Sequence, residues 1–155
     1  MLAIHPKVQD NLYKEIQQTC GNELPSFADV PNLVYTMCVM YEVMRIFPVL
    51  GTLPTRTEED QLLLGKHLIP KNTCVGIDLV NLHKNEKYWG PTCHEFDPSR
   101  FDNRILHDDE GQEWQTLMDG KLRIPAKGAF FAFGEGPRAC LGTYLSHYFN
   151  IANPS

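Results

Sequence analysis

The stretch Phe133-Gly134-Glu135-Gly136-Pro137-Arg138-Ala139-Cys140-Leu141-Gly142 carries the most specific chemistry in the sequence. Glycines at 134 and 136, followed by Pro137, make a rigid turn whose backbone amides can point at one atom. Those amides, with the N-terminus of a following helix, favour a thiolate over a thiol at Cys140. Arg138 adds positive charge two residues away. A thiolate held in this way can serve as the axial ligand of a haem iron. Gly142 would let the following helix come close to a flat macrocycle. Read alone, such a stretch is more often a glycine-rich surface loop around a small buried cysteine. A phosphate-binding loop is excluded. No Gly-Lys-Ser/Thr is present, and a Gly-x-Gly-x-x-Gly pattern fails at Ala139.

Two other constellations stand out. Glu42 and Arg45 are three residues apart in an apolar surrounding, so on a helix they share a face. If that helix is buried, the two charges must be paired and hydrogen-bonded. In Phe96-Asp97-Pro98-Ser99-Arg100-Phe101, Pro98 fixes a turn, and an arginine between aromatics reads as buried or stacked.

These residues need elements to hold them. Residues 6–19 read as an amphipathic helix. Pro6 stands at its first position, Val8, Leu12 and Ile16 recur on one face, and Gly21 is the stop. A second helix is expected over residues 31–47, with Asp29 as its cap and Pro48 ending it. It is apolar nearly all round, which marks a buried helix. Residues 49–80 read as short strands, with a tight hairpin turning at Gly65-Lys66 and a second turn at Pro70-Lys71-Asn72. One or two helical turns follow over residues 81–88. Residues 89–128 show little periodicity and predict a packed meander, partly disordered around residues 107–112. A short helix is expected from Cys140 toward Asn150.

The 155 residues are 43% hydrophobic and 21% charged, an ordinary globular composition of single-domain length. The net charge of −5 argues against sequence-independent nucleic-acid binding, which needs phosphate neutralisation. Five dispersed cysteines show neither Cys-x-x-Cys nor a zinc-site spacing, so reduced thiols are expected. The N-terminus lacks the pattern of a signal peptide. The most apolar stretch, residues 33–50, carries Glu42 and Arg45, which argues against an ordinary membrane-spanning helix.

Taken together, the three constellations resemble, in order and spacing, the C-terminal half of a cytochrome P-450, a haem-thiolate monooxygenase. Glu42 and Arg45 match the family's Glu-x-x-Arg helix. Phe96, Pro98, Arg100 and Phe101 match its Phe-x-Pro-x-Arg-Phe meander, with Trp89-Gly90-Pro91 ahead of it. Phe133, Gly136, Arg138, Cys140 and Gly142 match every fixed position of the Phe-x-x-Gly-x-Arg-x-Cys-x-Gly ligand motif. The resemblance runs from about His5 to Gly142.

It implies a mainly α fold with short β-hairpins (α+β), the C-terminal part of the cytochrome P-450 fold, with residues 1–155 as a single partial domain. It implies haem b as the cofactor. Cys140 would ligate the iron, and Arg138 and Arg56 would reach propionates. Phe133 would shield the sulfur, and Gly136 and Gly142 would shape the loop. Residues 50–54 would line the substrate pocket. The parent activity inserts one oxygen atom from O2 into a small lipophilic substrate, with electrons from an NADPH-dependent reductase. An intact parent would sit at the endoplasmic reticulum membrane, by an anchor that is not found in this sequence. A complete member is far longer. Its central helix, with the acid–alcohol pair that delivers protons to bound oxygen, has no counterpart here. After Gly142, the run Thr143-Tyr144-Leu145-Ser146-His147 departs from the usual basic helix start. The resemblance therefore leaves a second reading open, a haem-binding module or remnant without turnover.

Overall fold

The computed structural model describes residues 1–105, 107, 114–125 and 128–143. Helix α1 spans Pro6–Cys20 with Pro6 in its first turn. It ends where Gly21 adopts φ 63° and donates its N–H to the Gln17 carbonyl. Helix α2 spans Val34–Ile46, shorter than the expected residues 31–47. The residues before it, Val30–Asn32, form a separate 3-10 turn.

The expected cap of α2 is a correction. Asp29 does not cap it. Its carboxylate takes the N–H and hydroxyl of Ser26, closing a local turn at 2.8 Å and 2.6 Å. The first amides of α2 are instead met by Glu15, from the middle of α1. Its carboxylate accepts from Tyr35 N and Thr36 N, each at 2.7 Å, and from the Thr36 hydroxyl at 2.8 Å. A carboxylate there also faces the positive end of the α2 dipole. One side chain thus caps a helix and ties α1 to α2.

The core forms where the apolar face of α2 meets the meander. Leu33, Val34, Met37, Cys38 and Tyr41 pack with Trp89, Cys93, Phe101, Leu122 and Phe130. Tyr41 stacks on Phe101 at 5.5 Å, and Phe101 contacts both Phe130 and Trp89. Burial lifts the Cys38 thiol well above its ordinary pKa, in keeping with a packing role.

Among the described residues, three two-stranded antiparallel sheets flank this core. Strand β1 (Thr52–Arg56) pairs with β4 (Cys74–Asp78), with Leu53 opposite Ile77 and Arg56 opposite Cys74. Gly76 is required there, since a Cβ would stand 2.6 Å from the Thr52 methyl. Between them, β2 (Gln61–Leu63) and β3 (His67–Ile69) form the expected hairpin. Its turn centres one residue earlier than expected, on Leu64 and Gly65, with φ 53° and 68°. Short helices α3 (Leu79–Leu82) and α4 (Glu86–Trp89) follow, capped by the Asp78 and Asn85 side chains.

The region after Trp89 is more regular than its sequence predicts. Pro98–Phe101 is a 3-10 turn, and β5 (Trp114–Leu117) pairs with β6 (Leu122–Pro125). Met118, Asp119 and Gly120 all take positive φ in the intervening turn. Residues 108–113, on which most of the expected disorder falls, lie outside the described residues, as do residues 144–150 of the expected last helix. Among the described residues no helix is long and apolar enough to cross a membrane. The α+β reading, helices with short β-hairpins, holds.

Candidate functional site

Glu42 and Arg45 are fully buried on α2, and Arg100 is 8% exposed. Arg45 uses all five of its donors. Nε and Nη2 bond the two Glu42 oxygens at 2.6 Å and 2.8 Å. Nη1 donates to the carbonyls of His83 and Cys93, and Nη2 also to that of Glu95. Arg100 approaches Glu42 Oε1 at 3.5 Å and donates to the carbonyls of Trp89 and Thr92. Glu42 Oε1 also accepts the Asp97 N–H at 2.8 Å. The helix pair and the meander arginine therefore converge. Three charges share one buried site, each satisfied by directed hydrogen bonds. Five of the bonds end on backbone carbonyls of residues 83–95, so the cluster fixes the path of the meander.

His83 is a residue whose role the sequence did not reveal. Its side chain is fully buried, and its Nε2 accepts the Phe131 N–H at 3.0 Å. A backbone amide can only donate, so the neutral ring carries its proton on Nδ1. Burial, then the neighbouring Arg45 charge, push the imidazole down to about 4, against weaker pulls from the Arg45 and Met44 carbonyls. His83 is neutral at pH 7.

Beyond Phe131 the chain leaves the core. Ala129 and Phe130 are buried, residues 131–135 are half-buried, and residues 136–141 are exposed. Gly134 and Gly136 take φ 70° and 73°, conformations that suit glycine. Gly136–Arg138 forms one 3-10 turn. The Cys140 N–H donates to the Phe133 carbonyl at 2.8 Å, closing the loop. The Thr143 hydroxyl donates to the Cys140 carbonyl at 2.7 Å.

The structure brings five of the six expected site residues into this loop. Cys140 is exposed at its far end, Arg138 is exposed two residues before, and Leu141 beside the thiol is wholly exposed. A Cβ at Gly142 would stand 3.7 Å from the Cys140 Sγ, an ordinary contact. Phe133 is half-buried and packs against the core. Arg56 lies on β1, as expected from its strand segment. Its side chain is exposed and donates to the Asn72 carbonyl at 3.0 Å.

The family model for cytochrome P450 matches residues 1–148, and the chain belongs to that family. It is 32% identical over 147 residues to a cytochrome P450 of Caenorhabditis elegans, CYP13A5, covering 94% of this chain and 25% of that protein. It is 32% identical over 142 residues to the 11-oxo-beta-amyrin 30-oxidase of Glycyrrhiza uralensis, covering 92% of this chain and 24% of that one. A solved structure of a zebra fish cytochrome P450 with progesterone superposes with a TM-score of 0.72 at 29% identity, over 96% of this chain and 30% of that one. The chain thus spans about a quarter of the length of the curated relatives it matches. Members of the family use haem b with its iron as cofactor. The residues present fit such a group. An accessible soft donor stands beside an apolar side chain and an unburied guanidinium, the partners that a flat apolar disc with anionic edges requires.

Proposed function

We propose that residues 1–155 are a single partial domain that holds the thiolate side of a haem-dependent monooxygenase centre. The observation that carries this reading is the exposed Cys140 thiol at the end of a loop anchored to the core and closed by its own backbone hydrogen bonds. Cys140 would be the iron ligand. Arg138 would pair with a propionate, Phe133 would shield the sulfur, and Arg56 would serve a second propionate from the β1–β4 sheet. Gly136 and Gly142 would give the loop its turn and its close approach. Residues 50–54 would line the substrate pocket.

Haem ligated by a thiolate supplies O–O cleavage and the insertion of one oxygen atom from O2 into an organic substrate. The residues described here bind, orient and shield on the ligand side. The parent reaction calls for a small lipophilic substrate, an NADPH-dependent reductase and, for an intact parent, the endoplasmic reticulum membrane. The similarity to the oxidase of Glycyrrhiza uralensis supports an oxidation of this class. A second reading is favoured by the quarter-length match to the relatives. Taken alone, these 155 residues would be a remnant or a haem-binding module without turnover, because catalysis also needs a dry pocket on the opposite face.

Titration of the chain with haemin tests the binding claim. Affinity should fall by roughly tenfold or more in Cys140→Ser, at least the scale of a lost outer-shell partner of a metal ligand, and by less in Arg138→Leu. Affinity unchanged by Cys140→Ser would refute it. With haem, reductase, NADPH and a panel of lipophilic substrates, the isolated chain should form no product in proportion to oxygen consumed. Coupled hydroxylation would overturn the second reading.

A further inference from the structure

We propose that His83 is a positioning residue, the joint that fixes the Cys140 loop to the buried Glu42–Arg45–Arg100 cluster. It makes both connections itself. Its carbonyl accepts Arg45 Nη1 at 2.8 Å, and its ring Nε2 accepts the Phe131 N–H at 3.0 Å, across 48 positions of sequence. The ring is held by Phe130 at 5.2 Å and Trp89 at 6.5 Å. Phe131 begins the half-buried run from which the loop emerges. Its carbonyl takes the Gly134 N–H at 3.1 Å, and two residues on, the Phe133 carbonyl takes the Cys140 N–H. A continuous series of hydrogen bonds therefore runs from the Glu42 carboxylate through Arg45 and His83 to the Cys140 backbone.

The chemistry at this point requires a buried acceptor that stays uncharged. A carboxylate would bring a further charge into the core, and an apolar side chain would leave the Phe131 N–H unmade. A neutral imidazole meets both conditions. The groups facing it are Arg45, at the C-terminal end of α2, and the aromatic rings of Phe130 and Trp89.

This role matters for function through the reading of Cys140 as iron ligand, but its test does not depend on haem. The full chain is compared with His83→Gln, which keeps an acceptor at the reach of Nε2, and His83→Phe, which keeps a ring without one. Amide hydrogen exchange at Phe131 is read together with the alkylation rate of Cys140, using exposed Cys74 on β4 as the internal reference. Phe131 should be protected in the wild-type chain. His83→Phe should exchange there roughly tenfold faster, the effect of one buried donor left unmade. The Cys140-to-Cys74 alkylation ratio should change in the same variant. His83→Gln should restore both. An unprotected wild-type Phe131, equal protection in His83→Phe, or a His83→Gln as defective as His83→Phe would overturn the proposal. If His83→Phe does not fold, the His83→Gln result decides. Failure of the iron-ligand reading would show instead as haem binding indifferent to Cys140→Ser, with the exchange results unaltered.

Discussion

Arg45 grips both carboxylate oxygens of Glu42, through Nε at 2.6 Å and Nη2 at 2.8 Å, from three residues further along the same helix. Both side chains are fully buried, so the pair cannot be treated as an exposed helix ion pair of small worth. Its value lies in what else the two residues hold. Through Arg45 and Arg100 the cluster binds backbone carbonyls at 83, 89, 92, 93 and 95, and through Glu42 it binds the amide of Asp97.

Removing one partner leaves two buried arginines facing an uncompensated site. Glu42→Ala should therefore destabilise the fold by ~3–5 kcal/mol, as for a broken buried pair. Denaturant unfolding followed by tryptophan fluorescence reads this directly, because Trp89 sits under the Arg45 guanidinium at 5.1 Å. A loss below about 1 kcal/mol, the scale of an exposed pair, would show that the cluster is not structural.

Glu15 makes a quieter contribution. Its carboxylate caps α2 from α1 by two backbone bonds of 2.7 Å. Glu15→Ala should cost about 1–2 kcal/mol, in the upper range for a lost N-cap, whereas Asp29→Ala should cost less because Asp29 serves only its own exposed turn. Paired thermal melts of the two variants check the order. The reverse order would return the cap to Asp29.

Acid should weaken the fold through His83. In the unfolded chain an imidazole titrates near 6.5, while in the fold His83 is pushed down to about 4. Between these values the unfolded state binds more protons, so the stabilisation is complete above pH 6.5 and is lost as pH falls toward 4. A shift of this size is worth roughly 3 kcal/mol. Stability measured from pH 7.5 to 4 should show this loss, and His83→Gln should flatten it. An equal slope in both would place the acid sensitivity elsewhere. Protonation would also set a ring N–H against the Phe131 N–H, so the Cys140 loop should loosen over the same range.

Much of this was legible in the sequence, for definable reasons. Helix α1 carried its start and stop in Pro6 and Gly21. Helix α2 carried its burial in an all-round apolar surface, and two charges in that surface had to be partnered. The glycine and proline spacing marked the turn that carries Cys140. What was hidden depends on contacts distant in sequence. The cap from Glu15 spans 20 positions to Tyr35, and the His83 bond to Phe131 spans 48. The β5–β6 hairpin was masked because both faces carry apolar or aromatic groups, and because Arg123 is buried against the Trp114 ring rather than solvated. Its burial, with Nε donating to the Arg100 carbonyl, is a tertiary fact that no alternation reports.

The central claim is that Cys140 ligates haem iron as a thiolate. Its most direct measurement is the carbon-monoxide difference spectrum of the reduced chain saturated with haem, recorded beside the Cys140→Ser variant. The wild-type chain should give the red-shifted band of thiolate ligation, and Cys140→Ser should lack it. The same band in both proteins, or no such band in the haem-saturated wild type, would contradict the assignment.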